Sequence, residues 1–69
     1  MGYLLKEDIA TIINEKYKNS YFAKQLDLSG TYISLIVHRK QTVPKRIAYA
    51  FTKVINSDAT IDDYFYIVK

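Results

Sequence analysis

Between Phe22 and Ile36 the apolar residues fall at spacings that leave this chain few ways to fold. Counted from Ala23, they stand one residue before (Phe22), three after (Leu26), five after (Leu28), ten after (Ile33) and thirteen after (Ile36). Phe22, Ala23 and Leu26 share one face of a short helix, and Ile33 and Ile36 share one face of a second. Asp27-Leu28-Ser29-Gly30 separates the two, with Leu28 an apolar plug just past the bend. The pattern predicts a helix from Tyr21 to about Leu26, a turn at Asp27, and a helix from Ser29 or Gly30 to about Val37 or His38.

The flanking segments read as helical too. Leu5, Ile9, Ile12, Ile13 and Tyr17 make one apolar stripe, predicting a first helix from about Leu5 to Lys18. Glu7 and Asp8 fall in its first turn and Lys16 and Lys18 in its last, as the helix dipole prefers. Asn19 tolerates a left-handed residue, and Ser20 suits an N-cap for the helix that follows. Pro44 fits the first turn of a fourth helix, whose apolar side is Ile47, Ala50, Phe51, Val54 and Ile55. Thr60, followed three residues later by Asp63, offers a short-chain capping box. The closing YFYIV, residues 64–68, suits either a last helical turn or an extended tail. Two glycines and one proline leave little room for hairpins. The expected class is therefore all-α, with five short helices in a single domain spanning residues 1–69.

At 69 residues without cysteine, such a domain depends on its core alone, and chains of this size bury only about 60% of their unfolded surface. The 49% hydrophobic content and ten aromatics, seven Tyr and three Phe, are enough for one compact core. No apolar run approaches the roughly 18 residues that cross a bilayer. Glu7 and Asp8 interrupt the place where a signal peptide would continue its apolar region, so a cytoplasmic protein with no membrane association is expected.

The net charge of +3 is unevenly spread. From Leu28 to Ser57 there are five basic residues (Arg39, Lys40, Lys45, Arg46, Lys53) and no acid; elsewhere five basic residues meet seven acidic ones, for +5 against −2. A segment of one sign suggests a face offered to a polyanion. His38 has no partner at metal-ligand spacing and no nucleophile or orienting group at a recognisable distance in sequence. No catalytic residue, metal site or cofactor motif is expected, and Asp62 and Asp63 read as helix-capping residues.

The six-position pattern is that of a helix-turn-helix, here about residues 20–38. YISLIVHRKQTVP (residues 32–44) and TIDDYF (residues 60–65) resemble the corresponding runs of the Cro/lambda-repressor-like (XRE) family. The resemblance covers nearly the whole chain and implies a five-helix, lambda-repressor-like domain. It also implies a DNA-binding transcription regulator of the kind found in temperate phages, in which the second helix of the motif lies in the major groove. Carried over to this chain, the groove-facing positions are Ser29, Gly30, Thr31, Ser34, Leu35 and His38, with Tyr32 beside them. Asn19 and Ser20 would meet a phosphate at a helix N-terminus. Arg39, Lys40, Lys45 and Arg46 would add attraction to phosphate independent of sequence.

Two features depart from that family. Asp27 holds the turn position usually taken by glycine, which Asp reaches at some cost. The reading face offers Gly30, Thr31, Ser34 and Leu35 rather than the Arg, Lys, Gln or Asn that make bidentate contacts to purine edges, each such contact contributing roughly 1–3 kcal/mol of discrimination. Two ligands therefore remain open for one surface: operator DNA, or a phage repressor protein that this chain inactivates as an antirepressor does. A homodimer is expected with the first, since the family's dimers span two half-sites.

Overall fold

The computed structural model describes residues 2–68. The chain is mostly helical, with β1 (Gly2–Leu5), α1 (Glu7–Lys16), α2 (Asn19–Leu26), α3 (Gly30–Val37), α4 (Lys45–Ile55), α5 (Ile61–Tyr64) and β2 (Phe65–Val68). Among the described residues no helix is long and apolar enough to cross a membrane.

The small sheet corrects the all-α expectation. β1 and β2 pair antiparallel, with Gly2 opposite Val68, Tyr3 opposite Ile67, Leu4 opposite Tyr66 and Leu5 opposite Phe65. Scarcity of Gly and Pro argued against hairpins, but these strands lie at opposite ends of the chain and need no hairpin. Leu5, expected to open the first helix, instead ends β1 with its side chain buried. YFYIV resolves to the extended alternative, as its β-branched and aromatic residues favour. On its other edge β1 meets Val43, with Tyr3 and Val43 exchanging both backbone hydrogen bonds at 2.8 Å. Gly2 is required there, because a Cβ at this position would lie 2.8 Å from Thr42 Cβ.

The helices fall where the sequence pattern places them, but α1 ends at Lys16 rather than Lys18, and Ile12, expected on its apolar stripe, is 45% exposed. The second helix begins at Asn19 rather than Tyr21, with Lys18 at its N-cap and no side-chain cap, so Ser20 lies inside the helix. Pro44 stands just ahead of α4, where its carbonyl receives the Ile47 and Ala48 N–H groups at 3.1 Å. The expected capping box forms at α5, with the Asp63 carboxylate accepting from Thr60 N–H at 2.9 Å.

Three aromatic rings organise the interior. Phe22 of α2 stacks on Phe51 of α4 with centroids 4.4 Å apart, and Phe51 meets Phe65 of β2 edge-on at 5.8 Å. All three are buried, together with Leu5, Ile13, Ile33, Ile36, Val37 and Val43. Burying side chains of this size contributes roughly 1.5–3 kcal/mol each before conformational entropy is counted. The sheet thus closes the core from below while α2, α3 and α4 enclose it.

Candidate recognition surface

The surface is set by which residues of α3 the core takes. Ile33, Ile36 and Val37 are buried, which fixes the rotation of this eight-residue helix. All six pattern positions serve the core: Phe22, Ile33 and Ile36 are buried, and Ala23, Leu26 and Leu28 pack against them. The opposite side carries Ser29, Gly30, Thr31 and His38, which are exposed, and Ser34 and Leu35, which are half-buried. Tyr32 is half-buried and packs on the core.

The turn that presents α3 is held by backbone geometry. Asp27 adopts the left-handed conformation (φ 56°, ψ 45°), and the Ala23 carbonyl receives the N–H groups of both Asp27 and Leu28. Ser29 then caps α3, its Oγ accepting from Tyr32 N–H at 3.1 Å. That hydroxyl oxygen is therefore engaged within the chain. Gly30 has an ordinary φ, and a Cβ added there would meet nothing within 4 Å. Neither the backbone nor the packing requires glycine at this position.

The far end of α3 is more constrained than the sequence suggested. The Arg39 N–H donates to the Ile36 carbonyl at 3.1 Å and the Lys40 N–H to the Leu35 carbonyl at 2.9 Å. This is a Schellman closure, with Arg39 (φ 59°) in the left-handed position where glycine is usual. The Arg39 side chain lies along the chain's own surface, about a third exposed. Its Nε donates to the Leu5 carbonyl at 2.9 Å and its Nη2 to the Tyr66 hydroxyl at 2.6 Å, while Nη1 lies 3.9 Å from Glu7. Arg39 is thus a brace between α3, β1 and β2, a role its place in a basic cluster did not announce. Asn14 adds a second tie, donating to the Val37 carbonyl at 3.2 Å.

The other candidate residues divide. His38 is exposed, and its Nδ1 lies 2.9 Å from the Ser34 carbonyl oxygen. Lys40 and Arg46 are exposed and have no side-chain hydrogen bond or ion pair among the described residues. Asn19 and Ser20 form the uncapped start of α2. Lys45 stands apart, lining a groove of about 410 Å³ with Tyr3, Tyr49, Ile61 and Ile67. Lys53 lines the same groove and spends its ammonium on the Ser57 and Ala59 carbonyls at 3.0 and 2.8 Å.

The first turn of α4 carries Lys45 and Arg46 and no acid, although the dipole there favours negative charge. That placement opposes helix stability, although Asp62 lines the same groove as Lys45. Compared with known protein families, characterised proteins and solved structures, the chain finds no match in any of the three.

Proposed function

We propose that this chain is a small cytoplasmic transcription regulator of a temperate-phage-type switch, built on a Cro/lambda-repressor-like (XRE) helix-turn-helix formed by α2 and α3. Its ligand is double-stranded operator DNA, received on the outer side of α3. The observation that carries this reading is the division of α3. Ile33, Ile36 and Val37 face the core, while Ser29, Gly30, Thr31 and His38 stand in solvent. Lys40 and Arg46 follow in a segment without acids and supply phosphate contacts.

The reading is tested by selecting duplexes from a random pool and measuring affinity by fluorescence anisotropy at several salt concentrations. An enriched duplex should bind with a steep salt dependence, and Lys40→Ala or Arg46→Ala should each lower the slope by about one. If no duplex is enriched at low salt, DNA is not the ligand. Arg39→Ala is unsuitable for this purpose, because Arg39 braces the fold.

A second reading is favoured by Leu35. It is half-buried yet is not among the side chains packed on the core, and exposed Thr31 lies one turn before it on the same face. With no residue for bidentate base contacts before His38, the same face suits a protein partner, and the chain would then act as an antirepressor on a co-encoded repressor. Leu35→Asp should abolish such a complex without unfolding the chain, and a pull-down that recovers no repressor removes this reading.

A further inference from the structure

We infer that the groove between α4, α5 and the sheet binds a small zwitterion with an apolar body, of the free amino acid or short peptide type, its carboxylate on Lys45 and its ammonium on Asp62. The inference is independent of what α3 binds, since no residue of α3 lines this groove. At about 410 Å³ the groove falls within the size range of small-molecule sites, roughly 300–1,000 Å³. Its apolar part comes from Tyr3, Tyr49, Ile61 and Ile67. Tyr49 is 55% exposed and Ile67 47%, so a bound apolar group would cover surface that the fold leaves in water.

The polar groups around the groove decide which charges a ligand must carry. Thr60 spends its N–H and hydroxyl on the Asp63 carboxylate. Lys53 spends its ammonium on the Ser57 and Ala59 carbonyls, and its Nζ lies 5.2 Å from the centre of the Tyr49 ring. The chain thus supplies its own cation to that ring. Lys45 of α4 and Asp62 of α5 remain. Both are exposed and line the groove, and among the described residues neither side chain has a hydrogen bond or an ion pair, with the other or with any third group. One unspent charge of each sign beside an apolar floor complements a molecule that carries both signs on an apolar body. A lone anion would leave Asp62 unanswered, and a lone cation would leave Lys45 so. Because both charges stand in water, each ion pair adds little, and affinity rests largely on the apolar body. For a ligand of about twelve non-hydrogen atoms, such as phenylalanine, the dissociation constant should be about a millimolar.

Chemical-shift titration of the isotope-labelled full chain, at neutral pH and low ionic strength, tests this with three probes. They are L-phenylalanine, 3-phenylpropionate, which lacks the ammonium, and 2-phenylethylamine, which lacks the carboxylate. Saturable changes should gather at Tyr3, Tyr49, Ile61 and Ile67, and phenylalanine should bind about three- to fivefold tighter than either analogue. Lys45→Gln should weaken phenylalanine and phenylpropionate by a similar factor and should not weaken phenylethylamine. Asp62→Asn should weaken phenylalanine and phenylethylamine and should not weaken phenylpropionate. Either substitution carries the test if the other disturbs the fold. The dipeptide Leu-Phe distinguishes the two sources: tighter binding than phenylalanine assigns the groove to peptide termini, and weaker binding assigns it to the free amino acid. An absence of saturable changes at these residues overturns the inference. So does equal affinity for the three probes, the mark of an apolar patch only, or a preference for phenylpropionate, the mark of an anion site.

Discussion

Arg39 donates from Nη2 to the Tyr66 hydroxyl at 2.6 Å, so the residue that closes α3 is tied to the strand that closes the sheet. Its Nε bond to the Leu5 carbonyl ties it to β1 as well. The orientation of α3 is thereby referenced to the paired ends of the chain, and the candidate recognition surface inherits that rigidity.

Arg39→Ala should destabilise the chain by about 1–2 kcal/mol, through loss of charge-assisted bonds that are only partly screened. Glu7, with its side chain 86% exposed, adds little to that figure. Arg39→Gly loses the same bonds but relieves the left-handed backbone, so it should be about 1 kcal/mol more stable than Arg39→Ala. Urea denaturation of the two variants reads the difference. Equal midpoints would show that the φ of 59° costs nothing.

Asp27→Gly should stabilise the chain by about 1 kcal/mol, because Asp27 holds φ 56° with no side-chain bond among the described residues to offset the strain. Asp27→Ala should destabilise it. The check is the shift in thermal midpoint by circular dichroism, upward for glycine and downward for alanine.

Gly30→Ala separates folding from recognition. Open space and an ordinary φ mean that alanine should stabilise α3 by up to about 1 kcal/mol. Should a ligand approach the start of α3 closely, the added methyl will weaken binding even as stability rises. Opposite signs in denaturation and in binding are the expected result; a gain in both would place the ligand elsewhere.

The apolar spacing from Phe22 to Ile36 was legible because helix periodicity and burial are local properties, and every position in it serves the core. The sheet was not, because its strands are distant in sequence and each is only four residues long. No local turn announces such a pairing. The internal bonds of Arg39 were hidden for a related reason: a run of His38-Arg39-Lys40 reads as solvated charge until β1 and β2 bring Leu5 and Tyr66 to it. Val37 lies outside the two-isoleucine pattern, yet it is buried. Lys45 was grouped with Lys40 by sequence, whereas its side chain lines the groove beside the sheet.

The neighbours Leu35 and Ile36 should behave oppositely. Ile36→Ala removes a buried side chain and should cost about 2–5 kcal/mol by chemical denaturation. Leu35→Ala, at a half-buried position off the core, should cost less than about 1 kcal/mol. A Leu35 loss matching that of Ile36 would mean that Leu35 belongs to the interior.

The most direct test of the outer face of α3 is an amide chemical-shift map of the labelled chain titrated with duplex DNA at low salt. The largest changes should gather at Ser29, Gly30, Thr31, Ser34, Leu35 and His38, with Lys40 and Arg46 at the margin. Changes centred instead on Tyr49 and Ile67, leaving Ser29 to His38 unmoved, would contradict the assignment of that face.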